Sequence, residues 1–271
     1  MQIRHALLGL SLMAMATYAQ DMVRTRTVSG VLSGSAHFGP APPVLDSVTG
    51  APYSAEETDT TVQTLVDGTH ITRENRTRKV YRDSAGRTRT ERPLMAAVAR
   101  RQKTDAPVII EILDPVEHVK YTLDTINKVA HKQTVAAPER EHSAKRTAPR
   151  ADAAAAPKQP SGEDTPQQTN EKLDPQTIEG LQVEGNRHTV TYPTGFDGND
   201  QPIKEVNESW WSPELKVEVL STRNDPRNGE STHKLINISR SEPDPGLFSP
   251  PVDYTVVEEK GEFMMKWGAE N

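Results

Sequence analysis

Apolar positions along this chain recur mainly at period two or in short unbroken runs. Pro107–Leu113 reads P-V-I-I-E-I-L, nearly continuous and rich in β-branched residues, the pattern of a core strand. After Asp114-Pro115 the stretch Glu117–Asp124 alternates, with Val119, Tyr121 and Leu123 on one side and His118, Lys120 and Thr122 on the other. Such alternation marks a sheet with one wet face, the habit of antiparallel sheets. Ile126–His131 predicts the next strand. Upstream, strand signals run from near Thr60 to Asp67-Gly68, read as a two-residue hairpin turn with both positions at positive φ. The return strand spans His70 to about Arg82, Asp83–Gly86 turns it, and Arg87–Arg92 is the third strand. Leu94–Gln102 is read as a short helix. In the second half Ile178, Leu181 and Val183 lead to an expected turn at Gly185-Asn186, with strands over His188–Tyr192, Ile203–Trp211, Leu215–Leu220, Thr232–Arg240 and Tyr254–Val257. No heptad pattern or long amphipathic helix interrupts this series.

Between these halves the pattern stops. Residues 133–170 hold Ala153–Ala156, scattered Pro, Gln and mixed charge, and few large apolar residues. Such a segment buries too little to offset its ordering entropy and is expected to be a disordered linker. The domain reading is a signal peptide over 1–19, an irregular N-terminal arm over 20–59 with one short strand near Val28–Leu32, the first half of a β-sheet over 60–132, the linker over 133–170, the second half over 171–259 and a tail over 260–271. The fold class is mainly β: a curved antiparallel sheet or half-open β-barrel with little helix, joined through a long central connection.

The first residues set the compartment. Arg4 and His5 precede an apolar run from Ala6 to Ala16, about 11 residues, followed by Thr17-Tyr18-Ala19. This is the order of a cleavable export signal, too short for a transmembrane span and followed by no lipid-attachment cysteine. A periplasmic or secreted protein is expected. Of the 271 residues 34% are hydrophobic, 5% are aromatic and none is cysteine. Thiolate catalysis and cysteine-ligated metal are thereby excluded, and stability rests on the core. The net charge of −6 argues against general nucleic-acid binding.

Candidate chemistry is sparse. Arg73, Arg76, Arg78, Lys79, Arg82, Arg87, Arg89 and Arg92 sit among three acids and read either as a solvated outer face or as a contact for an anionic partner. Trp210-Trp211 on a strand sends its rings to opposite sides, one buried and one exposed. The histidines are dispersed, and no metal-ligand set, nucleophile elbow or phosphate loop is present; no catalytic residue, metal or cofactor is expected.

The ending Pro243-Asp244-Pro245-Gly246-Leu247-Phe248-Ser249-Pro250-Pro251-Val252-Asp253-Tyr254, the stretch Trp210–Lys216 and the segment Lys79–Arg87 resemble uncharacterised secreted bacterial proteins of the lipoprotein-carrier-like (LolA-like) superfamily. The resemblance implies a half-open β-barrel with an apolar concave face that shields lipid in carriers and contacts a partner in envelope regulators. On that basis the expected ligand is a lipid, a lipoprotein or another apolar molecule, lined by Val108, Ile110, Ile112, Val119, Tyr121, Leu123, Leu215, Val217 and Val219. Each of these residues has ordinary core packing as its alternative. The alternative function is an envelope protein-interaction or sensor module using the basic hairpin or a sheet edge.

Overall fold

The structure, a computed structural model, describes residues 23–28, 31–41, 47–93, 108–136 and 165–267. The segments read as an export signal, as a short helix over Leu94–Gln102 and as most of the central linker lie outside the described residues.

The chain divides into two units. The smaller is a three-stranded antiparallel sheet in the order β1-β2-β15, made of β1 (Val23–Val28), β2 (Val31–Phe38) and β15 (Phe263–Trp267). Phe38 and Phe263 are direct cross-strand partners, and their rings stack with centroids 4.9 Å apart. The N-terminal arm, read from sequence as irregular but for one short strand near Val28–Leu32, instead supplies two strands, one ending at Val28 and the other beginning at Val31, and the C-terminal tail supplies a third. Their alternating Thr, Arg, Ser and Met positions carry little apolar signal, and pairing supplies what periodicity does not.

The larger unit is one twelve-stranded sheet. One meander runs through β3 (Tyr53–Thr64), β4 (His70–Arg82), β5 (Thr88–Pro93), β6 (Val108–Asp114), β7 (Val119–Asp124) and β8 (Val129–Thr134). The other runs through β9 (Gln167–Ile178), β10 (Leu181–Tyr192), β11 (Ile203–Ser212), β12 (Val217–Asp225) and β13 (Gly229–Ser239). Pairing of β13 with β3 joins the two into a single sheet. The spatial order is β14-β8-β7-β6-β5-β4-β3-β13-β12-β11-β10-β9, where β14 is Thr255–Glu259. The two outer strands do not pair with each other, so the sheet is open. Every pair is antiparallel except β14 with β8, which is parallel. Among the described residues the helical element is one 3-10 turn, Pro245–Phe248. A mainly antiparallel sheet is the architecture that the alternation predicts, although the described residues form two sheets where the sequence reading has one. β9 begins at Gln167, inside the stretch that composition assigns to the linker.

A recurring loop builds three of the hairpins. Asp114-Pro-Val-Glu-His118, Asp124-Thr-Ile-Asn-Lys128 and Ser212-Pro-Glu-Leu-Lys216 each end on a residue in the left-handed region, with φ of 54°, 52° and 52°. In each, the first side chain accepts hydrogen bonds from the loop's own amides: Asp114 from Val116 and Glu117 at 2.8 and 2.9 Å, Asp124 from Ile126 and Asn127 at 3.0 Å each, Ser212 from Leu215 at 3.2 Å. The short polar side chain replaces the acceptors that the turning backbone withdraws. Asp124 is buried and also accepts from the Asn127 amide group at 2.8 Å. Replacing Asp124 by Ala strands these donors, and the expected loss is about 2 kcal/mol, read as a lower urea midpoint at unchanged slope.

Three turns differ from expectation. Asp67-Gly68 does not form a two-residue turn. Leu65 and Thr69 close a loop of Val66-Asp67-Gly68, with the Leu65 amide 2.8 Å from the Thr69 carbonyl, and Gly68 takes φ 82° while Asp67 does not share it. Gly185-Asn186 is not a turn but lies inside β10; the chain reverses at Glu179-Gly180, both at positive φ. Leu215 is not on a strand but in the Ser212–Lys216 loop, from which its side chain still reaches the core.

Candidate functional site

The residues expected to line one concavity fall into two clusters. On the β5–β8 side, cross-strand pairing places Ile110 opposite Leu123, Ile112 opposite Tyr121, and Leu123 opposite Ala130. Direct partners share a face, so these side chains form one apolar strip. Ile112, Leu123 and Ala130 are fully buried, with Ile110 and Tyr121 packed beside them. Val119 continues the strip one pair further along, opposite Asp114, and Val108 lies at its β5 end opposite Pro93, both half-buried. Leu215, Val217 and Val219 belong to the other cluster, with Tyr53, Val80, Leu181, Val183, Trp210 and Leu235. They pack there as core.

The apolar strip is roofed. Residues Glu242–Tyr254 cross it, and Phe248 is 3% exposed in the same cluster as Ile112 and Leu123, with Leu247 and Tyr254 against it. Four prolines, at positions 243, 245, 250 and 251, stiffen this segment. Asp244 caps its 3-10 turn by accepting from Gly246 at 2.8 Å. Two arginines of the basic hairpin fix the roof: Arg89 donates to the Leu247 carbonyl at 2.9 Å and to Glu91 at 2.7 Å, and Arg87 lies 5.1 Å over the Phe248 ring while paired with Asp83 at 2.6 Å. Glu242 accepts from the Ser84 amide at 2.9 Å and its hydroxyl at 2.5 Å, which lowers the Glu242 carboxyl below the usual range. At the edge of the roof a cavity of about 270 Å³ is lined by Val119, Tyr121, Phe248 and Pro250 and equally by the polar side chains of Arg87, Asp114, Glu117, Lys132 and Ser249.

The rest of the basic hairpin divides. Arg82 is buried: its Nε donates to the Ala51 carbonyl at 3.0 Å, its Nη2 to the Leu215 carbonyl, and its guanidinium lies 4.7 Å over the Tyr53 ring. Burial holds this guanidinium below its ordinary pKa and the Tyr53 hydroxyl above its own. Arg78 pairs with Glu57, and Arg92 with Glu111 at 3.5 Å. Arg73 and Lys79 are exposed, and Arg76 lies on the same strand β4. Arg82 and Arg89 are thus structural cations, which a count of charges along the sequence does not distinguish from surface ones.

Two further polar groupings arise from the fold. His233 Nδ1 lies 2.9 Å from Asp59 and 3.5 Å from Glu57. Arg78 already serves Glu57, so a cation there has a competitor in place. In the other, Arg227 sits 4.4 Å over the Tyr192 ring and pairs with Asp225 at 2.9 Å and Asp197 at 2.6 Å. Hydrogen bonds from the Arg227 side chain, the Arg227 backbone amide and the Asn228 side chain hold the Asp225 carboxyl down to about 2. Its folded value lies below the ordinary 3.8, so its contribution to stability is complete above about pH 4 and is lost as the pH falls toward 2. The stability difference between wild type and Asp225→Asn is therefore expected to shrink across that window, as read by urea denaturation at stepped pH.

The geometry defines a class: an open, mainly β protein whose apolar strip is closed by its own C-terminal segment. No protein-family model matches the chain, and no curated protein matches it. Solved structures similar to it include an uncharacterized conserved protein from Thermus thermophilus, at 9% identity and TM-score 0.37, covering 77% of this chain and 91% of that one. A LolA superfamily protein from Nitrosomonas europaea is similar at 6% identity and TM-score 0.26, covering 75% and 92%. A domain described as an outer membrane lipoprotein-sorting protein, from Vibrio parahaemolyticus, is similar at 8% identity and TM-score 0.25, covering 73% and 89%.

The sequence singles out the floor of the site but not its roof. The available signal is Leu247-Phe248, a large apolar pair bracketed by prolines and outside any strand pattern. Such a pair needs a surface to cover.

Proposed function

We propose that this is an exported, non-enzymatic protein that binds a lipid or another apolar chain on the strip of Ile110, Ile112, Tyr121 and Leu123, beneath the segment that carries Phe248. The observation that carries this reading is the roof itself. The strip is covered by a short irregular segment rather than by another layer of sheet or helix, and a cavity opens where the two meet. The cavity, at about 270 Å³, falls below the roughly 300–1,000 Å³ of drug-sized ligand pockets. A chain-like ligand therefore enters by displacing Phe248 and Leu247, replacing their apolar contacts with its own. Export rests on the pattern of residues 1–19. Among the described residues no helix is long and apolar enough to cross a membrane.

Native mass spectrometry of the protein released gently from the periplasm tests the reading. An apolar mass that is retained in the native spectrum and freed on denaturation is the expected result. A clean ligand-free mass, with no uptake of added fatty acid, phospholipid or acylated peptide, overturns it.

A further inference from the structure

One strand of the large sheet is held differently from the rest. β14 lies parallel to β8, with Thr255 opposite Val129, Val257 opposite His131 and Glu258 opposite Lys132. Its side chains pack on little: Thr255 through Glu258 are exposed, with Val256 and Val257 at 50% and 39%, and Glu259 is half-buried. Beyond the ladder, which carries no sequence information, β14 is matched to its neighbour by charge. Lys128 pairs with Asp253 at 2.6 Å, Lys132 with Glu258 at 2.7 Å and His131 with Glu259 at 2.8 Å. Two of these pairs are open to solvent, where such contacts contribute little each. A parallel ladder is also slightly weaker per residue than an antiparallel one. The edge of β8 thus reads an extended segment with acids at three positions, and the side chains of the strand now on it bury little surface there.

We propose that the β8 edge is a docking site for an extended acidic segment of a partner protein, which pairs in parallel with Val129–Thr134 in place of β14. Lys128, His131 and Lys132 are the residues that select it. This is strand addition at a sheet edge, with main-chain hydrogen bonds giving affinity and charge giving choice. The resident strand is the pattern for the ligand: an acid, then apolar or β-branched residues, then two acids. The proposal stands whether or not the strip beneath Phe248 takes an apolar ligand.

The test uses the mature full-length chain and a fluorescent peptide of the sequence of residues 253–259, read by anisotropy. The triple variant D253N/E258Q/E259Q loosens the resident strand and leaves β8 intact. It is expected to bind the peptide about fivefold more tightly than wild type does, from three weak pairs lost in competition. Adding Lys132→Glu to it is expected to reduce that binding at least as much. The pair V129C/T255C, in a chain with no native cysteine, locks the resident strand. Its oxidised form is expected not to bind the peptide, and reduction is expected to restore binding. Equal binding by the oxidised and reduced forms overturns the proposal. So does a folded triple variant that ignores the peptide, a peptide with lysines for the three acids that binds as well, or a triple variant that dimerises instead of taking the peptide. The last result would make a second copy of this chain the occupant.

Discussion

Phe248→Ala is expected to lower stability by about 3–5 kcal/mol and to expose the apolar strip at the same time. The ring is nearly fully buried against Ile112, Leu123 and Ala130, and truncating a buried Phe costs about that much. For a domain of this size each kcal/mol moves the thermal midpoint by about 2–4 °C, so a fall on the order of 10 °C is expected in a calorimetric scan. The site adds a second readout. Without the ring, Ile110, Ile112 and Tyr121 meet water, and binding of an apolar dye should rise several-fold under native conditions. Phe248→Leu keeps most of the cover and separates the two effects: it should retain most of the stability and bind little dye. If Phe248→Ala loses stability yet gains no dye and no capacity for an acyl probe, the segment is simply core, and the binding reading loses its site.

Gly185→Ala is expected to be comparably disruptive for the opposite reason. Gly185 is the direct cross-strand partner of Trp210, and the indole lies across it. A Cβ built at position 185 falls 2.3 Å from one ring carbon and 2.7 Å from two others, closer than any packed contact. The ring cannot yield freely, because Trp210 is 8% exposed among Leu181, Val183 and Leu235. One methyl group therefore forces the indole off its position, at a cost of about 3 kcal/mol in denaturant unfolding. The control is a double-mutant cycle. In a Trp210→Leu background the added methyl should cost far less, because the group that it collides with is gone, and the non-additivity measures the contact directly. Additive costs would show that the strain lies elsewhere in β10.

Gly185 also shows where reading a sequence for turns goes astray. Gly-Asn is a strong turn signal when only neighbours in the chain are considered. Here the same glycine is empty space for a tryptophan on the neighbouring strand, and the chain turns earlier, at Glu179-Gly180. Trp210 and Trp211 themselves were legible: alternate direction on a strand buries one, and leaves the other 41% exposed. The strip of Ile110, Ile112, Tyr121 and Leu123 was legible for the same reason, since side chains at period two fall on one face whatever the strand pairs with. Leu215, Val217 and Val219 carry a similar pattern yet lie in the other cluster, because periodicity assigns a face to a strand but not the strand to a neighbourhood.

The class of structure is written in the local pattern of the chain. Period-two alternation, β-branched runs and Asp-, Pro- and Gly-marked reversals commit it to short antiparallel strands through interactions that act over a few residues. The strand read on that basis from His70 to about Arg82 is β4. What lies against what was settled only by folding. Tertiary pairing joined the two meanders through β3 and β13, turned Arg82 and Arg89 into internal cations, and laid Leu247-Phe248 over a strip that lies far earlier in the chain. It also placed β14 parallel to β8. These outcomes depend on burial and hydrogen bonding between distant segments. Their free energies come from surfaces that exist only once the sheet has formed.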